Sequence, residues 1–166
     1  MQSSSETSMT TPPSTPAFMN GLEVGSAFES AGRTITEADI VNFACLSGDF
    51  NRLHVDQEYA KGTPFGQRIA HGLLVLSILS GLTTQSSGYR QLEPYILALL
   101  DISCRFPKPT FIGDTIFVRV TVAEKIDNYR PGKDKVVFRR EAINQRGEAV
   151  VQADFAMMML PMRECA

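Results

Sequence analysis

The chain predicts an α+β domain in which one buried helix packs against a largely antiparallel sheet. Three features of the sequence carry that expectation. Helical signals are confined to the first half. Four strand-length stretches follow in the second half. Between them, His71 to Leu82 is apolar nearly all round, as a helix is when other elements cover it.

The first nineteen residues are rich in Ser, Thr and Pro, and the first basic residue is Arg33. A secretory signal needs a positive start and a transit peptide needs arginines. The stretch 1–19 therefore reads as a disordered tail, and 20–162 as a single domain. A turn at Met19–Gly25 leads into a short strand through Phe28. Thr36-Glu37-Ala38-Asp39 carries a capping signal. Ile40, Phe43, Ala44 and Leu46 follow at helical spacing, so a helix is expected from about Glu37 to Ser47, with Gly48 ending it.

Asp49 to His54 reads as an irregular turn. Along an α-helix, five residues rotate the side chain by about 140°, and along a strand they place it on the opposite face. Asp49 and Asn51 favour turns through side-chain bonds to the backbone. A short helix is expected over Asp56 to Lys61 and a loop over Gly62–Gly66. The buried helix His71–Leu82 comes next, then a loop from Thr83 to Pro94, with Gly88 and Tyr89 placed to shape a pocket. Strands are expected over Ile96–Phe106, Thr115–Lys125, Asp134–Asn144 and Ala149–Leu160. Val118, Val120 and Val122 alternate with polar neighbours, and Gln145–Glu148 forms a hairpin turn. Met157, Met158 and Met159 read as strand core and edge.

Composition narrows the function classes. The chain has 166 residues, 43% hydrophobic, with a net charge of −2 and no basic stripe, which disfavours nucleic acid as a partner. No apolar run approaches the length of a spanning helix, so no membrane role is expected. Cys45, Cys104 and Cys165 show no disulfide framework and no metal-ligand spacing. A reducing, cytoplasmic compartment and no metal are expected, with Cys45 packed as a small apolar residue inside its helix.

The chemistry-bearing segment is Ser47-Gly48-Asp49-Phe50-Asn51-Arg52-Leu53-His54. It brings a carboxylate, a carboxamide and an imidazole together within six residues, and only one other histidine, His71, occurs in the chain. Asp49 and His54 form a candidate acid–base pair. Taken alone, a Gly-Asp-x-Asn is more often a turn whose side chains satisfy the backbone. Two further motifs accompany it: Ala70-His71-Gly72 at the start of the apolar helix, and Phe106-Pro107-Lys108-Pro109 running on to Gly113-Asp114.

In that order, over about Leu22 to Leu160, the three motifs resemble the MaoC-like hydratase branch of the hot-dog fold, which includes the (R)-specific enoyl-CoA hydratases. The resemblance implies an antiparallel sheet wrapped around the central helix. It implies a homodimer or higher homo-oligomer, and reversible addition of water to a trans-2-enoyl-CoA. It implies no metal or redox cofactor, coenzyme A being part of the substrate. In the family, an Asp and a His at the positions of Asp49 and His54 hold the water. Asn51 would hold the turn, Gly72 would offer an N–H to the thioester oxygen at a helix start, and His71 would support from behind. Ser80 matches a pocket serine. Arg68, Arg105 and Lys108 are the cations nearest the motifs and the candidates for coenzyme A phosphates. One departure is Arg52, where the family carries proline. It either points to solvent or marks a short branched or dicarboxylic substrate. A non-catalytic acyl-CoA-binding subunit of a hetero-oligomer is the remaining alternative.

Overall fold

The computed structural model describes residues 22–162. The expected tail and Cys165 lie outside them. The strands are β1 (Ala27–Glu29), β2 (Arg33–Thr34), β3 (Ile96–Arg105), β4 (Thr115–Arg130), β5 (Lys133–Asn144) and β6 (Ala149–Met159). They form one sheet in the order β1-β4-β5-β6-β3, with β2 also beside β4 and every pair antiparallel. The helices are α1 (Glu37–Ser47), α2 (Arg52–Val55), α3 (Gln57–Lys61), α4 (Gly72–Gln85) and α5 (Ser87–Leu92). A 3-10 turn at Glu93–Tyr95 leads into β3.

α4 lies across β4, β5 and β6. It buries Leu74, Val75, Ile78, Leu79, Leu82 and Thr83, a stripe set by the helical repeat. Facing it are Val118, Val120 and Val122 of β4, Val136, Phe138 and Ala142 of β5, and Val151, Ala153, Phe155, Met157 and Met159 of β6. This is the alternation of a sheet with one face in the core. Removing each of the larger side chains from water contributes about 1.5–3 kcal/mol. Thr83 is tolerated in the core because its hydroxyl donates to the Leu79 carbonyl at 2.9 Å.

Several expectations shift. α4 is not covered all round: Leu73 and Ser77 face outward, and α4 runs on to Gln85. The segment after it is not a loop but largely α5. Gly88 is buried there because a Cβ at that position would come within 2.5 Å of the Phe28 ring. β4 runs past the expected Lys125 to Arg130, leaving Pro131-Gly132 as the turn into β5, with Gly132 at φ 67°. On α1, Ile40 and Ala44 face the core, which turns Cys45 and Leu46 outward; Leu46 is 85% exposed.

The edge strand β3 pairs with β6 alone, and its apolar Leu97, Leu99, Leu100 and Ile102 are exposed. A long apolar edge is a site for further strand pairing. No described helix is long and apolar enough to cross a membrane.

A buried carboxylate ties the loop after β3 to the β5–β6 hairpin. Asp114, 4% exposed, accepts from Phe111 N at 2.9 Å, Gln145 Nε2 at 2.7 Å and Arg146 Nη1 at 2.8 Å. The same loop pairs with the approach to α4, where Ala70 N donates to Thr110 O at 2.8 Å and Ile69 bridges Phe111. This pairing sets the position of His71 and Gly72.

Candidate active site

The site is assembled by caps. Thr36 and Asp39 form a reciprocal capping box at the start of α1, and Gly48, at φ 76°, ends it with an N–H to Ala44 O. The chain leaves Gly48 as an irregular turn through Asn51. Asn51 N donates to Asp49 Oδ1 at 3.2 Å, and Asn51 Oδ1 accepts from Leu53 N at 3.0 Å. These two bonds hold the turn. The irregular stretch is shorter than expected, because Arg52–Val55 forms a single helical turn that carries His54. Asp56 then caps α3 through Tyr59 N at 2.9 Å.

Two main-chain carbonyls set the two imidazoles. His54 Nδ1 lies 2.9 Å from Ile69 O, and His71 Nε2 lies 3.0 Å from Asp49 O. A carbonyl only accepts, so each of these nitrogens carries its hydrogen. In the neutral rings the lone pair then falls on Nε2 of His54 and on Nδ1 of His71. The rings stack at 3.8 Å between centroids with a 32° tilt, and Phe43 lies 5.0 Å from His71. His71 is 2% exposed, and its Nδ1 is buried without a partner. Burial pushes its pKa below the ordinary value and the His54 charge adds to this, while the bond to the Asp49 carbonyl and the Asp49 charge oppose it. His71 is thus a neutral support behind the Asp49 turn.

One carboxylate oxygen of Asp49 and one nitrogen each of His54 and His71 lie within 4.8 Å of one another. A water bonded to two groups at ordinary lengths spans about 5.5 Å, so a separation of up to 4.8 Å is within one water's reach.

Beside this cluster is an apolar cavity of about 310 Å³, lined by Phe65, Ile69, Gly72, Val75, Phe106 and Val151 among others. Ile69 links the two: its carbonyl holds His54 and the residue lines the cavity. Gly72 opens α4, where N–H groups lack partners within the helix. A Cβ on Gly72 would sit 3.0 Å from the Phe106 ring. Gly72→Ala therefore pushes Phe106 into the cavity mouth. The expected result is a fall in kcat/KM of about 10- to 100-fold with an almost unchanged Tm, read by steady-state kinetics and a thermal melt.

The structure gathers Asp49, Asn51, His54, His71 and Gly72. Ser80 is half-buried further along α4, about 12 Å of helical rise beyond Gly72. Arg68 is committed elsewhere, to Glu37 Oε1 at 2.8 Å and Gln57 Oε1 at 3.3 Å. Arg105 lines a separate polar groove with Arg139 and Asp154. Lys108 alone of the three cations borders the apolar cavity, 3.9 Å from Glu148. Arg52 bonds Asp56 at 2.9 Å, lies over the Tyr59 ring, and its side chain is 65% exposed. Two features escaped the sequence. Ile69 acts through its carbonyl, which no side-chain pattern reveals. The packing of Phe106 on Gly72 joins two of the quoted motifs, but only the fold brings them together.

The MaoC like domain family matches residues 20–145. The chain belongs to the MaoC-like dehydratase family. Among its relatives, the (R)-specific enoyl-CoA hydratase of Rhodospirillum rubrum is 37% identical over 134 residues, covering 81% of this chain and 85% of that one. Protein MaoC of Klebsiella aerogenes is 36% identical over 118 residues, 71% of this chain but only 34% of that longer protein. Among solved structures, a monoamine oxidase regulatory protein of Archaeoglobus fulgidus is 37% identical with a TM-score of 0.77, covering 89% of this chain and 97% of that one. A Mycobacterium tuberculosis protein with a double hot-dog fold, 21% identical with a TM-score of 0.71 over 90% of this chain and 46% of that one, bears on the fold alone. The architecture is thus the α+β hot-dog, and this MaoC-like protein is an enzyme of the hydro-lyase type.

Proposed function

We propose that this MaoC-like chain catalyses reversible syn addition of water to a trans-2-enoyl-CoA, giving an (R)-3-hydroxyacyl-CoA. The observation that supports it most is the approach of the Asp49 carboxylate and a His54 nitrogen to within 4.8 Å, next to an apolar cavity that opens at Gly72. Water held between Asp49 and His54 Nε2 donates to both. As its oxygen bonds to C3, the pair takes one proton and returns one to C2, so the elements of a single water are added. Both events occur on the face of the alkene that meets the pair, hence the syn outcome. The Gly72 N–H receives the charge that develops on the thioester oxygen, a contact of the kind worth about 3 kcal/mol. Lys108, at the cavity rim, meets a coenzyme A phosphate. Two copies pair through the exposed β3 edge, which removes the free edge of each.

The test uses the full chain alone. Crotonyl-CoA should lose its enoyl-thioester absorbance, and chiral analysis should find the (R)-3-hydroxy product. Coenzyme A thioester binding without turnover at any chain length would overturn the hydratase in favour of a non-catalytic acyl-CoA-binding subunit.

A further inference from the structure

β5 carries a cation where its alternation calls for an apolar side chain. Val136, Phe138, Arg140 and Ala142 share the core face, and Arg140 is 3% exposed. Its row neighbours are Val120 of β4 and Ala153 of β6. The guanidinium carbon lies 3.9 Å from the Phe155 ring centroid and 5.9 Å from that of Tyr89 on α5. Its Nε is buried with no partner, and among the described residues no carboxylate pairs with it. The buried Asp114 and Asp134 are different, each accepting hydrogen bonds. Burial lowers the Arg140 pKa to about 10, opposed in part by Tyr89, so the group stays cationic at neutral pH. A buried charge without a counter-charge is costly, and stacking on an aromatic ring offsets only part of that cost.

Its position connects it with the cavity. Val151, which lines the cavity beside Gly72, pairs with Ala142, and Ala153 pairs with Arg140. Arg140 is thus the next core-facing row along the same strands, about 7 Å on. The lining stops at Val151, one row short of Arg140, so an acyl chain that enters beside Gly72 reaches it only by extending past the cavity along the sheet.

We propose that Arg140 is a specificity-determining residue that receives a carboxylate at the far end of the acyl chain, making the substrate class an ω-carboxylated 2-enoyl thioester. This rests on the hydratase reading and adds the substrate class to it. The guanidinium offers a fork of N–H donors that matches a carboxylate in two parallel bonds. The anionic substrate suggested by Arg52 in the sequence is thereby moved to Arg140, since Arg52 is already bonded to Asp56.

Two assays separate this inference from the hydratase reading. The first is equilibrium binding of non-reacting saturated thioesters, adipoyl-CoA against hexanoyl-CoA, to the wild-type chain. The terminal carboxylate should tighten binding at least about tenfold, and Arg140→Met should remove that gain. The second is turnover of matched trans-2-enoyl-CoAs of graded length, with and without the terminal carboxylate. Arg140→Met should lower kcat/KM about 30-fold or more for the carboxylated series and leave the apolar series within about threefold, with Arg140→Lys between. A binding preference without turnover supports Arg140 and sinks only the hydratase. Equal or weaker binding of adipoyl-CoA by the wild-type chain overturns the Arg140 proposal whatever the turnover, and it needs no variant that might misfold. A preference that survives Arg140→Met overturns it as well.

Discussion

Replacing His54 with alanine is expected to lower kcat/KM for crotonyl-CoA hydration by about 10²–10⁴-fold, the usual worth of a positioned acid or base. Asp49→Asn should fall in the same range. The carboxamide fills the same space but accepts a proton far less readily. Because both groups would grip one water, the double variant should lose little more than either single one, as groups that act as a unit do. Stability should change little, since Asp49 is exposed and His54 only half-buried. Initial rates of enoyl-thioester loss, with a thermal melt as control, check all three. If His54→Ala kept a tenth of the activity, the assignment of the acid–base pair would be wrong.

The second large effect concerns Asp114 and is read in stability. Burial opposes its ionisation, but bonds from Arg146, Phe111 and Gln145 outweigh burial and hold its pKa below the ordinary carboxylate value. A carboxyl whose folded pKa is depressed contributes stability above its unfolded pKa of about 3.9, and that contribution is lost as the pH falls through the folded value. Asp114→Asn should therefore cost about 1.5–3 kcal/mol near neutral pH. The gap to the wild type should narrow steadily below about pH 4 and become much smaller in strong acid. Urea melts at several pH values measure it. A gap that stayed constant with pH would show that charge has no part in this contact.

What could be read from the chain was local. The capping box at Thr36, the stop at Gly48, the turn chemistry of Asn51 and the alternation of β4 each depend on residues a few positions apart, and each is where it was expected. Asp49 and His54 were singled out for the same reason, and their role as an acid–base pair rests on the variants above. The failures involve distant partners or the facing of a helix. Arg68 is taken up by Glu37, 31 positions away. Arg105 projects into a groove that β5 and β6 complete. Leu46 looked like part of an apolar stripe, but six steps of about 100° carry it off the buried face. Arg140 could have been noticed: the alternation Val136, Phe138, Arg140, Ala142 places a guanidinium among apolar neighbours on sequence alone.

Asp49, Asn51, His54, His71 and Gly72 all belong to one unbroken stretch of 24 residues, 49–72, fastened by main-chain carbonyls, whereas Val150 and Val151 of β6 line the cavity. On the proposed reading, proton handling and selection of cargo fall to separable parts of the molecule. On that reading, changing the sheet rows around Ala142, Arg140 and Phe138 would retarget such a scaffold to new acids while the 49–72 stretch is left untouched.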